Sequence, residues 1–263
     1  MVDVSSPDGP SGDPRYDRPL GTSAERNLSV DEVRVLWNFI HGDIMDVRTR
    51  NRLREHWGMC TRHAWAYAVV EIELWEAGAG RRGGHQPFDV SILYQDLLAT
   101  MRDGLARVRG RRFTRALMPH GGCVICDKLR TPAPGGIVST HAGFALAPLV
   151  VEANGMINTR VWLDETVLEW QGSVCPECSA ELGIPVREGI LPCRSHLAAA
   201  DSLSDASVEL TRITLGELQR DIRDLTDSMT QNGAPSTRRI DASWVRTLGW
   251  FHGWRFPLEL RRS

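Results

Sequence analysis

Four short donor pairs of one spacing constrain this chain more than anything else in it. Cys123 and Cys126 form one C-x-x-C, and Cys175 and Cys178 form another. Cys60 with His63 and Cys193 with His196 each form a C-x-x-H, and no cysteine of the six is left over. Two donors three positions apart can grip one metal ion from a single turn entering a helix, whose dipole also helps form the thiolate. Four such half-sites make two tetrahedral sets of sulfur and imidazole nitrogen, the donor chemistry of Zn2+. A free cysteine packed as a small hydrophobe does not explain four equal spacings. A redox dithiol wants a thioredoxin-like βαβ context, and no such pattern is visible. Four thiolates at Cys123, Cys126, Cys175 and Cys178 would also suit an iron–sulfur cluster. The two C-x-x-H pairs tilt the choice to zinc.

The spacing leaves the pairing of the half-sites open. Cys123/Cys126 with Cys175/Cys178 would give an all-thiolate site, leaving Cys60/His63 to meet Cys193/His196. The competing arrangement couples Cys123/Cys126 with Cys193/His196 and Cys60/His63 with Cys175/Cys178. Either closes a long loop and needs contact between the two halves of the chain.

The composition supplies a core, so metal need not carry the whole fold. Hydrophobic residues are 42% and charged residues 24% of 263, with a formal net charge of -2. That balance gives no global field for nucleic acid or membrane. Residues 1–28 are rich in Pro, Gly, Ser and Asp and are expected to form a disordered tail. They lack the basic and apolar regions of a signal peptide, and no run approaches the roughly 18 apolar residues of a membrane span. The expectation is a cytoplasmic chain, where paired cysteines are more often metal ligands than disulfides.

Helical periodicity dominates the rest. Val33, Leu36, Trp37, Phe39 and Ile40 give a first helix an apolar face, with Ser29 or Asp31 as its cap. A second helix is expected from Asp43 to about Trp57, ended by Gly58. Cys60 opens a third, with Trp65, Val69, Ile72 and Trp75 at helical spacing. Val90, Leu93, Tyr94, Leu97, Leu98, Met101, Leu105 and Val108 fit one stripe. Residues 142–153 and 159–170 read as helix, with strand an alternative for the latter. Val208, Leu215, Leu218, Ile222, Leu225 and Met229 mark a long helix ended by Gly233. A tail carrying Trp244, Trp250 and Trp254 is expected to fold back as helix, with Trp250 and Trp254 facing either the core or a partner. No alternating stretch is long enough for a sheet. The fold expected is mostly α, a two-part helical bundle stapled by zinc sites, with an N-terminal half at 29–119 and a C-terminal zinc-binding half at 120–263.

The string Trp57-Gly58-Met59-Cys60-Thr61-Arg62-His63-Ala64-Trp65, then Ile92-Leu93-Tyr94-Gln95-Asp96-Leu97-Leu98 and a C-x-x-C, resembles an uncharacterised bacterial family of helical proteins. In that family a C-x-x-C begins each half, and a G-F-C-x-x-H or G-L-C-x-x-H element ends the first hairpin. The resemblance covers residues 30–200 and implies helices and metal, with no function attached. The chain departs from the pattern: no C-x-x-C precedes Cys60, and Cys175-Pro176-Glu177-Cys178 stands where a C-x-x-H is expected. Cys60/His63 would then lack its usual partner, for which Cys193/His196 could substitute.

Other residues carry weaker signals. Arg102, Arg107, Arg109, Arg111, Arg112 and Arg115 form a basic run from a helix end into a linker. They could grip nucleic-acid phosphates, or simply be a solvated helix end complementing the C-terminal dipole. His120 and His141 flank Cys123/Cys126, and Asp164, Glu165, Glu169, Glu177 and Glu181 lie near the second C-x-x-C. Both groups read more simply as surface. No G-x-S-x-G, P-loop or dinucleotide fingerprint is present. Filled ligand sets argue against the open position a catalytic zinc needs. The leading expectation is therefore a non-enzymatic zinc-binding helical protein acting on another protein as an interaction or regulatory component. A nucleic-acid-binding regulator, and a metal-dependent enzyme or thiol redox sensor, are the alternatives.

Overall fold

The computed structural model describes residues 26–74, 86–131, 146–230 and 233–262. Most of the expected tail lies outside them, as do Trp75 and His141. Among the described residues every regular element is helical. No helix among them is long and apolar enough to cross a membrane.

Helix α1 (Val30–Ile40) starts with a capping box: the Ser29 side chain accepts from the Glu32 backbone, and the Glu32 carboxylate accepts from the Ser29 backbone. The single helix expected over 43–57 is two elements. A 3-10 turn (Asp43–Met45) is followed by α2 (Val47–His56), because Asp46 accepts from the Thr49 N–H and opens a new helix there. Helix α3 (Thr61–Leu74) is buried on all sides from His63 onward. Two glutamates in it look misplaced until their partners are named. Glu71 accepts from the Asp89 and Val90 N–H groups, capping α4 (Phe88–Leu105). Glu73 accepts from the backbone and side chains of Asn158 and Thr159. One central helix thus caps two others from outside their own sequence.

After α4, Gly110 at φ 56 turns the chain into α5 (Arg111–Leu117), so the expected linker is partly helix. Helices α6 (Val124–Arg130), α7 (Leu146–Gly155), α8 (Ile157–Glu165) and α9 (Val167–Trp170) follow. The stretch over 159–170 is helix, not strand. Short α10 (Pro176–Glu181) and α11 (Arg194–Ala199) precede the long α12 (Asp205–Ser228), whose apolar stripe makes the most extensive helix pair in the fold, with α4. The tail is α13 (Arg238–Asp241), α14 (Ser243–His252) and α15 (Arg255–Arg262).

One core cluster draws on both halves of the chain. Its aromatic centre joins Trp65, Trp244 and Phe256, with Trp170 stacked on Trp254 at 6.0 Å. Trp250 and Trp254 are both buried, so the core takes them. They do not share a helix, since Gly253 separates α14 from α15. Gly249 is required by this packing: a Cβ there would lie 2.6 Å from the Trp254 ring.

Candidate metal centres

Every half-site is built the same way. Cys60, Cys123, Cys175 and Cys193 each stand immediately before a helix, and their carbonyls accept the first helical bond from Ala64, Asp127, Ser179 and Leu197. The second donor of each pair then falls in the first turn on the same side. Thiolates at such helix starts sit in the favourable end of the backbone dipole.

The helices bring these four turns together in pairs. Helix α1 packs on both α3 and α6, which sets Cys60/His63 against Cys123/Cys126. Cys175/Cys178 meets Cys193/His196. In each cluster all four donor atoms lie within 4.8 Å of one another. In the first, His63 Nδ1 is 3.2 Å from Cys60 Sγ, 3.6 Å from Cys123 Sγ and 3.3 Å from Cys126 Sγ. In the second, His196 Nδ1 is 3.2, 3.7 and 3.2 Å from Cys175, Cys178 and Cys193. One sulfur pair in each is 3.9 Å apart, and all six cysteines are free thiols. A tetrahedral zinc ion with sulfur at about 2.3 Å would set its sulfurs about 3.8 Å apart, so the donor spacing fits one such ion per cluster.

This overturns both arrangements weighed from the spacing. The all-thiolate site does not form, and Cys193/His196 does not substitute for a partner of Cys60/His63. Each cluster holds three cysteines and one histidine, the composition of the competing arrangement, but from different half-sites: Cys60/His63 with Cys123/Cys126, and Cys175/Cys178 with Cys193/His196. The second closes within the C-terminal half across the short segment between Cys178 and Cys193, where loop closure costs little entropy. The first joins the N-terminal half to the C-terminal one.

Both histidines face a carboxylate with the nitrogen that does not face the sulfurs. His63 Nε2 lies 3.4 Å from Glu32 Oε1, and His196 Nε2 lies 3.3 Å from Glu181 Oε1. Such outer carboxylates fix the ring orientation and the tautomer of a metal-binding histidine. Glu32 is held by Arg62 as well, at 2.5 and 3.0 Å. Burial opposes its ionisation, but hydrogen bonds from His63 and Arg62 hold its carboxyl well below the usual range. The donor spacing does not reveal Glu32; its signal is the capping box two helices upstream, at the start of α1. Glu181, a surface residue on the sequence reading, is the carboxylate that faces His196. Glu177 lies 3.0 Å from Cys175 Sγ and Asp164 pairs with Arg261.

The thiols crowd one another. Hydrogen bonds to Cys123 and Cys126, with burial, push the Cys60 thiol up. Burial opposes ionisation of Cys123, yet its hydrogen bonds to Cys126, Cys60 and His63 bring it well down. Cys178 is lowered to about 4 by hydrogen bonds to Cys175 and Cys193, while those to Cys175 and Cys178 raise Cys193. Three thiolates this close cannot all ionise on their own; a dication among them removes the conflict.

The two clusters share one support. Trp65, two residues after His63, donates from Nε1 to the Gly253 carbonyl, and the Trp254 backbone N–H donates to the Cys178 sulfur. Tyr94 and His252 meet at 2.6 Å directly beside Gly58. Burial keeps His252 unprotonated and Tyr94 neutral, so the phenol donates to the ring. Arg194, next to Cys193, is buried and donates to the Phe251 and Leu117 carbonyls. Burial lowers it to about 10, leaving it a cation at neutral pH.

The remaining candidates do not join either cluster. His120 is exposed. Arg102 donates to Gln219 in the last turn of α4. Arg107 and Arg109 are exposed beyond it, and Arg111, Arg112 and Arg115 are exposed on α5. No family model, curated protein or solved structure matches the chain.

Proposed function

We propose that each cluster closes on one zinc ion and that the chain is a non-enzymatic, zinc-stapled helical protein whose role is interaction with another protein. The observation that carries this reading is the ligand count. Each cluster offers three sulfurs and one imidazole, which fill a tetrahedron and leave no position for water or substrate. Donor atoms within 4.8 Å of one another suit a single ion better than a multi-iron cluster. A metal-dependent enzyme would need an open ligand position, and a thiol sensor an unligated thiol. The interaction role is supported by exposed apolar side chains along α7, α8 and α9: Val151, Ile157, Val161 and Leu168.

The test is removal of metal from the loaded protein with a strong chelator, followed by circular dichroism. Loss of tertiary and helical signal, with recovery on adding zinc, is expected. Full retention of both signals in metal-free protein would remove the structural role.

One observation favours a second reading. Arg111 and Arg112 occupy the start of α5, where the helix dipole disfavours cations. Among the described residues no carboxylate pairs with Arg107, Arg109, Arg111, Arg112 or Arg115. A surface kept basic against the dipole suits phosphate contacts, and Arg109, Arg111 and Arg112 changed together to Ala would then abolish a salt-sensitive affinity for nucleic acid.

A further inference from the structure

Beside the second cluster the surface sinks into a cavity of about 380 Å3. That volume lies in the range of small-molecule sites, about 300–1,000 Å3. Its walls include Val174 and Ser179, neighbours in sequence of Cys175 and Cys178, but none of the eight metal donors.

The lining has two characters. Trp170, Ile184, Pro185 and Leu258 make an apolar floor, and Arg187, Arg261 and Arg262 supply all the charge. Among the described residues no carboxylate lines the cavity. Arg261 is neutralised from behind, its Nε donating to Asp164 at 2.7 Å, while its guanidinium lies 5.8 Å from the centre of the Trp170 ring. Among the described residues Arg262 donates only to the Leu182 carbonyl, at 3.4 Å. Arg187 meets no acceptor among the described residues. The cavity therefore carries a surplus of two positive charges. Ser179 is 4% exposed and lines the same space.

We propose that this cleft binds a phosphate monoester carried on an aromatic or aliphatic group. The monoester has a charge of about -1.5 to -2 at pH 7, which matches the surplus. A carboxylate would leave one guanidinium uncompensated. Guanidinium forks suit phosphate oxygens in pairs, and the Ser179 hydroxyl adds a neutral donor. The Trp170–Leu258 floor takes the carrier group. The site goes beyond the zinc reading and stands apart from it, because no metal donor lines the cleft.

The test is titration calorimetry on the full chain as isolated, with inorganic phosphate, phenyl phosphate, benzoate and a short phosphotyrosine peptide as probes. Phenyl phosphate is expected to bind at least about 10-fold more tightly than inorganic phosphate or benzoate, since one charge-assisted contact or one buried apolar group is each worth that factor. Arg187→Ala should weaken it about 10-fold or more, whereas Arg220→Ala, which removes the same charge from the exposed face of α12, should leave it unchanged. Both residues are exposed, so both variants fold. Peptide binding tighter than phenyl phosphate places the phosphate on a protein, and equal or weaker binding places it on a small molecule. No detectable binding of phenyl phosphate, or equal losses in the two variants, would overturn the proposal. Loss of zinc with phosphate binding retained would count against the zinc reading alone.

Discussion

Replacing Glu32 with glutamine tests whether the first cluster is held from outside its own ligands. Glu32 is 2% exposed, receives Arg62 through two nitrogens and faces His63 Nε2 at 3.4 Å. Glutamine keeps the size, and its amide oxygen can still accept from the Ser29 backbone, so the start of α1 should survive. The charge is what disappears. The Arg62 side chain, 11% exposed, then loses its ion pair with Glu32. Breaking a buried pair on one side costs about 3–5 kcal/mol, and the partial exposure of Arg62 puts the expected loss at the lower end. Removing an outer carboxylate behind a histidine ligand typically lowers metal affinity about 10–100-fold, or roughly 1.4–2.7 kcal/mol. Competition with a chromophoric zinc chelator, alongside urea denaturation, reads both numbers. One of two zinc ions should bind about 10–100-fold more weakly and the other unchanged. Equal weakening at both sites, or none at either, would refute the argument that Glu32 orients His63.

Three further outcomes follow from the same geometry. The His63 side chain is fully buried and that of His196 is 27% exposed, so a chelator should strip the second cluster first, in a two-phase release followed by stopped-flow absorbance. Burial raises Glu71 from an ordinary 4.5 to about 8. The folded chain therefore holds a proton there that the unfolded chain releases, and this contribution is complete below about pH 4.5 and lost as pH rises toward 8. Glu71→Gln should flatten the fall in urea stability between those values, and an unaltered slope would contradict the assignment. Gly58 sits at φ +100, and a Cβ there would lie 2.8 Å from the Tyr94 hydroxyl. Gly58→Ala should cost about 2 kcal/mol or more by thermal denaturation. Gly42→Ala, with nothing within 4 Å, serves as the control.

The eight donors, the helical class and the stripes of α4 and α12 were legible because local spacing writes them directly. Donors three apart share a turn, and residues three and four apart share a face. Pairing the half-sites was not legible from spacing of that kind, because it depends on α1 packing against both α3 and α6. The short separation of Cys178 from Cys193 did carry a signal, through the low entropy of closing a short loop. Glu71 and Glu73 were invisible for a different reason: each caps a helix distant in sequence, so neither falls in any local capping pattern. The break of 43–57 at Asp46 is readable in the sequence, since Asp is among the favoured helix N-cap residues. The linker expected for the basic run is partly helix because Gly110 opens α5 there, and no local periodicity over seven residues marks so short a helix.

X-ray absorption at the zinc edge, with elemental analysis of the protein as isolated, addresses the central claim most directly. The account predicts two zinc ions per chain, each with three sulfurs at about 2.3 Å and one nitrogen at about 2.0–2.1 Å. A single zinc per chain, an oxygen ligand in the coordination shell, or an all-sulfur site would contradict it.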